Sequence, residues 1–169
     1  MPPNRRVLGI DPGLTVTGFG VVDGDGVHAA LIEAGTFRSN AKAPRHERLR
    51  EIFDRVGALI LQHHPQDLAI EAHFVHRNVR SAMAIGEARA AALLAAAVHH
   101  LDVYEYPPKT VKESITGFGA APKEQVQAMV MAHLGMTAAP ERLDASDALA
   151  IALTRLAGLR YEALMAGRS

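Results

Sequence analysis

The sequence contains no cysteine. That excludes disulfides, a thiolate zinc site, an iron–sulfur cluster and a thiol nucleophile together, so any metal must be held by carboxylates, imidazoles or water. Charge of one sign is missing as well, since 18 basic side chains balance 18 acidic ones. A zero balance speaks against a polyanionic partner, but it counts every carboxylate as free. Cations bound by those carboxylates would leave the working protein positive. Long hydrophobic runs are also absent: the longest uncharged apolar stretch, Ala90 to Val98, falls far short of a bilayer span. Met1 to Asp11 carries two arginines but no apolar h-region or small-residue cleavage site. The expectation is a cytoplasmic protein with no membrane association. What is there is ordinary globular material, 169 residues with 49% apolar and 21% charged side chains, without repeat or Ser/Gly/Pro linker. One domain, 1–169, is expected.

The order of elements is informative. Val7 to Asp11 is a short apolar run closed by Asp11-Pro12-Gly13, a buried strand entering a tight turn. Thr17 to Asp23 and Val27 to Phe37 flank Asp23-Gly24-Asp25-Gly26, a hairpin turn; the twelve-residue spacing and terminal Glu of a calcium loop are absent. After Pro44, apolar residues at Leu49, Ile52, Phe53, Val56, Leu59 and Ile60 follow helical spacing until His63-His64-Pro65. A strand follows at Leu68 to Glu71, then a long helix, Arg80 to His100, with Ala84, Ala88, Ala92 and Ala95 on a flat close-packing face. Val103 to Tyr106 reads as a fifth strand, Lys109 to Ile115 and Lys123 to His133 as short helices, and Asp144 to Leu159 as the last helix. The fold class is α/β: a mixed five-stranded sheet, three antiparallel strands then two parallel, with helices on both faces.

Four carboxylates occupy unusual places in this outline. Asp11 and Glu71 each end an apolar strand, and Asp144 and Asp147 sit in the first turn of the last helix. Singly, each has a plain structural explanation, as turn former or helix cap. If the first and fourth strands are neighbours, however, Asp11 and Glu71 meet at one end of the sheet. A helix crossing that end adds Asp144 and Asp147, which share a helix face. Four unpaired carboxylates there repel unless cations neutralise them, and oxygen-only ligands suit Mg²⁺ or Mn²⁺. Two such ions about 3.5–4 Å apart clamp a phosphodiester for in-line hydrolysis. His73 shares strand parity with Glu71 and is a candidate metal ligand or proton carrier of lesser rank. From Arg38 to Arg50 five cationic side chains face only Glu47, either a solvated face or a phosphate-binding patch.

Gly9-Ile10-Asp11-Pro12-Gly13, followed by Thr17-Gly18-Phe19-Gly20-Val21, resembles the opening signature of the RuvC family of Holliday junction resolvases. Ala69-Ile70-Glu71-Ala72-His73-Phe74 is similar to the family's second acidic motif and Asp144-Ala145-Ser146-Asp147-Ala148-Leu149-Ala150 to its third, so the likeness runs from Val7 to Leu156. The resemblance implies a ribonuclease H-like fold and a homodimer that nicks two opposing strands of a four-way DNA junction, leaving 5′-phosphate ends. It implies Asp11, Glu71, Asp144 and Asp147 as ligands of two Mg²⁺ or Mn²⁺ ions per site. Phe74 matches an aromatic that stacks on a base at the junction, and Lys112 and Lys123 match lysines that contact DNA or assist catalysis. Arg77 and Arg80 follow Phe74 closely enough to meet phosphates. The long alanine-rich helix matches the dimer interface, and a branch-migration motor complex is a further implied partner. His73 stands where relatives carry other side chains.

Three rival readings stay open at this point. A Gly-x-Asp-x-Gly turn also opens actin-like ATPases, which need two related domains and a second phosphate loop. An RNA-processing nuclease of the same fold shares the first motif. A non-catalytic junction-binding protein would keep the fold without the chemistry.

Overall fold

The computed structural model describes residues 4–72 and 78–166. Five strands, β1 (Arg5–Asp11), β2 (Val16–Gly24), β3 (Ala29–Arg38), β4 (Asp67–Glu71) and β5 (Asp102–Tyr106), form one sheet in the order β3-β2-β1-β4-β5. β1 pairs antiparallel with β2 and parallel with β4, so the first and fourth strands are neighbours. α1 (Arg45–His63) precedes β4 and α2 (Val79–Val98) precedes β5, while α3 (Pro108–Thr116), α4 (Lys123–His133) and α5 (Leu143–Ala166) follow the last strand. The Asp23-to-Gly26 segment is a hairpin turn as expected: the Asp25 carboxylate accepts from the backbone N–H of Val27 at 2.9 Å and of His28 at 2.7 Å. Those two bonds hold its pKa down at about 2.

Side-chain alternation along β1 divides the interior in two. Leu8 and Ile10 face α1 and α2, packing with Ile52, Val56, Ile60 and the α2 alanines. Val7 faces the other way, into a core shared by α3, α4 and α5. Each fully buried aliphatic side chain of this kind contributes about 1.5–3 kcal/mol. The same parity assigns the acidic residues. Asp11 follows Val7 and Gly9 in steps of two, and Glu71 follows Ala69, which packs in the α5-side core. Both carboxylates therefore point to the face that α5 covers.

α5 lies unusually close to β1 and β2, and glycines allow it. A Cβ on Gly9 would stand 2.1 Å from the Ala148 carbonyl oxygen, one on Gly18 2.0 Å from that of Asp144, and one on Gly20 2.6 Å from Leu149 Cδ2. Gly18 pairs with Asp11 and Gly20 with Gly9 across the β1–β2 ladder. The glycines of the first motif are thus the seat of α5, and they deliver its first turn to the end of β1. Gly18→Ala is expected to destabilise the protein by about 1–3 kcal/mol by overpacking. A shift in the denaturation midpoint checks it; an unchanged midpoint would mean that α5 gives way freely.

Two segments singled out in the sequence take on more definite form. By length and composition α2 is apolar enough to cross a membrane, although its longest uncharged run is short. Its Ala88, Ala91, Ala92, Ala95 and Ala96 are buried against α1 and the sheet. The basic run at Arg38 to Arg50 is the solvated-face alternative, with Arg38, Lys42, Arg45 and Arg50 exposed. Arg45 pairs with Glu87 and Arg50 with Asp54, while Arg48 turns inward to the Ser39 hydroxyl at 2.9 Å and the Leu14 carbonyl at 3.1 Å.

Candidate active site

The site grows from the parallel pairing of β1 with β4, which brings their carboxyl ends side by side, and from the seating of α5 across them. Asp11 is half-buried with no hydrogen bond to its carboxylate among the described residues. Burial first, then the negative charges of Asp147, Glu71 and Asp144, push its pKa up to about 8, against a smaller opposing pull from Lys123. Glu71 is raised too, by burial and by Asp147, with Lys123 and Lys112 acting the other way. The Lys123 ammonium, 3.3 Å from Asp147 Oδ2, has its pKa raised chiefly by that carboxylate. A cavity of about 230 Å³ opens at this place, lined by Glu71, Asp147, Lys112 and Lys123 over an apolar floor that includes Val111, Val126 and Ile151.

The four acidic residues therefore share one end of the sheet and feel one another's charge. Their side-chain atoms are less gathered than their backbone positions. Among the described residues no three carboxylates or imidazoles stand close enough to share one ion. Asp147 leans to Lys123, and Asp144 Oδ2 accepts from Arg142 Nε at 3.3 Å. Like charges left to themselves separate toward available cations, which accounts for this arrangement. The donor set still fits a hard divalent cation. All donors are oxygen, and Asp11, raised by burial first and then by three acidic neighbours, is opposed only in part by Lys123.

The remaining candidates divide. Lys112 and Lys123 line the cavity with Glu71 and Asp147. Arg80 is exposed in the first turn of α2, behind the Asn78 cap, whose side chain accepts from Ser81 N at 3.2 Å. His73, Phe74 and Arg77 lie outside the described residues. Sequence reasoning missed Arg142, whose position two residues before Asp144 was the available signal, and Arg89, treated below.

The sequence profile described as "Crossover junction endodeoxyribonuclease RuvC" matches residues 7–155. The chain belongs to the RuvC family. Among its relatives, the RuvC endodeoxyribonuclease of Halorhodospira halophila is 49% identical over 148 residues, covering 88% of this chain and 87% of the relative. That of Alkaliphilus metalliredigens is 38% identical over 158 residues, covering 94% and 96%. A solved structure of Thermus thermophilus RuvC with a Holliday junction substrate superposes with a TM-score of 0.89 at 37% identity, covering 94% of this chain and 96% of that one. As a RuvC endodeoxyribonuclease the chain is a hydrolytic, structure-specific nuclease of a metal-dependent family, and the fold is ribonuclease H-like.

Proposed function

We propose that this chain resolves four-way DNA junctions as a homodimer, hydrolysing one phosphodiester in each of two opposing strands with Mg²⁺ or Mn²⁺, two ions per site, held by Asp11, Glu71, Asp144 and Asp147. The observation that carries the reading is the meeting of the β1 and β4 carboxyl ends beneath the first turn of α5, with a half-buried Asp11 pushed up to about pKa 8 by burial first and then by its acidic neighbours. Bound divalent cations supply an activated water and charge stabilisation of the leaving oxygen.

The chain's own residues do the rest. Asp11 and Glu71, on adjacent strand ends, would hold the ions from the sheet, and Asp144 and Asp147 would add carboxylate oxygens from the first turn of α5. Lys123, exposed and paired with Asp147, and Lys112 line the same cavity, where an ammonium would neutralise a bound phosphate. Arg80, Arg77 and Phe74 extend the DNA contact beyond the cut, Phe74 by stacking, worth about 1–3 kcal/mol per base. His73 is a reserve ligand or proton carrier. The dimer reading is supported by α2, where Val79, Met83, Ala90, Leu94 and Val98 recur at four- and seven-residue spacing as an exposed apolar stripe opposite the buried alanines.

The test is a cleavage assay with a mobile four-way junction, matched duplex DNA and structured RNA, each with Mg²⁺ or Mn²⁺, and sedimentation of the protein alone. Paired nicks in the junction, ligatable 5′-phosphate ends and a dimer are expected, with at least about 100-fold preference over duplex, or roughly 2.7 kcal/mol. Preferential cutting of RNA would replace this reading by the RNA-processing one. Tight junction binding without cleavage in either metal would replace it by a binding role.

A further inference from the structure

Glu71 is the last residue of β4, and a strand end is free to splay unless its backbone is held beyond the ladder. Two interactions hold it here. The sheet continues one residue further, with the Ala72 N–H donating to the Tyr106 carbonyl at 2.8 Å. From the opposite layer Arg89 of α2 reaches the carbonyl of Glu71 itself, its Nε donating at 3.1 Å, while its other arm pairs with Glu105 on β5. The Arg89 side chain is 14% exposed. A guanidinium is suited to this because its planar fork satisfies two acceptors at once in a fixed geometry. The exit of β1 is held in a similar way, since Arg48 and Ser39 both donate to the Leu14 carbonyl. That grip lies three residues past Asp11. Arg89 instead grasps the backbone of a proposed ligand residue itself.

We infer that Arg89 is a positioning residue for the nuclease reaction, fixing the carboxyl end of β4 so that the Glu71 carboxylate is presented to the divalent cation at a set place. It acts through the backbone: its Nε donates to the Glu71 carbonyl, while its charge is paired with Glu105 rather than with the Glu71 carboxylate. Its removal therefore loosens the strand end that carries Glu71. The same helix turns its bare stripe outward, so Arg89 also ties the Glu71 end to the surface assigned above to the dimer. The inference rests on the metal role proposed there for Glu71.

Wild type, Arg89→Met, Arg89→Lys and Glu105→Gln are to be compared. Binding of Mn²⁺ to the DNA-free protein is read from the electron paramagnetic resonance of free Mn²⁺, beside the melting temperature, junction affinity in EDTA and the Mn²⁺ dependence of cleavage. Arg89→Met is expected to weaken Mn²⁺ binding about tenfold and to raise the half-activating Mn²⁺ concentration in step, as loss of a group that orients a ligand does. Junction affinity in EDTA stays within about twofold, since the change acts on metal presentation. Arg89→Lys, whose single ammonium nitrogen does not reproduce the fork that spans both acceptors, falls between. Glu105→Gln, which loosens only the anchor of the guanidinium, loses less.

A folded Arg89→Met protein whose Mn²⁺ affinity stays within about twofold of wild type overturns the inference. So does a loss that tracks melting temperature across the three variants and disappears on cooling, which is the behaviour of a purely structural residue. If Arg89→Met does not fold, Arg89→Lys and Glu105→Gln decide by the same two criteria. A wild type that binds Mn²⁺ but cuts no junction refutes the proposed function while the Arg89 effect on binding still reads out. One that binds no Mn²⁺ refutes both.

Discussion

Replacing Asp11 by Asn is expected to abolish junction cleavage, by at least about 10³-fold, while making the metal-free protein more stable. Both effects have one origin. Asp11 is a half-buried carboxylate pressed by three others, and as an anion it costs folding free energy that only a cation recovers. Its folded pKa of about 8 lies above the ordinary value of 3.8, so the folded state binds the extra proton between those limits. The associated stability is fully present below about pH 4 and is lost progressively as pH rises through 8. Near pH 7.5 the neutral Asn should stabilise the metal-free protein by about 2 kcal/mol, roughly 4–8 °C in melting temperature. It should flatten the pH dependence over that window and remove most of the melting shift that Mn²⁺ produces in wild type. Junction binding should survive, because the basic and aromatic contacts are untouched. Turnover above a few per cent of wild type, or a variant less stable than wild type without metal, would defeat the assignment.

The second large effect lies at the other end of the sheet. Arg155, on α5, is 2% exposed and donates to Asp67 Oδ2 at 2.7 Å; Asp67 is fully buried at the start of β4 and also pairs with Arg5. The guanidinium lies 3.5 Å from the centroid of the Tyr104 ring, and Glu162 takes its remaining arm at 2.6 Å. Burial opposes the Arg155 charge, but bonds to Glu162 and Asp67 outweigh it and raise the pKa above its usual value. Arg155→Ala leaves Asp67 buried with one cation fewer and opens a void beside Tyr104. The expected loss is about 3–5 kcal/mol by urea denaturation, the cost of breaking a buried ion pair from one side. The double replacement of Arg155 and Asp67 by Met and Leu should recover a large part of it, since no charge is then stranded. Equal losses in the single and double variants would show that packing alone sets the effect.

Much of the architecture was legible because it follows from period and punctuation. Alternation along Val7 to Asp11, the Asp-Pro-Gly stop and the hairpin at Asp25 fix strands and parity locally, while the adjacency of the first and fourth strands stood only as a condition. The co-location of Asp11 with Glu71 needed only strand adjacency, which the β1–β4 pairing provides. Side-chain partners were not legible, because they depend on which cations fold nearby. Asp144 to Arg142 is a choice of rotamer, and Asp147 to Lys123 joins residues 24 apart. Arg155 reads in sequence as one polar position on a helix. Only the burial of every residue from Ala148 to Leu156 turns that lone charge into a demand for partners. Arg89 was hidden for a related reason: its acceptor is a backbone carbonyl, which side-chain chemistry does not announce.

The glycine seat under α5 limits how this protein can diverge. At Gly20 the obstacle is mainly the Leu149 side chain, so a larger residue could be matched by a smaller one opposite. At Gly9 and Gly18 it is the peptide oxygen of Ala148 and of Asp144, which no exchange of side chain can shorten. A library that randomises both surfaces together should therefore recover paired solutions at Gly20 and none at the other two positions.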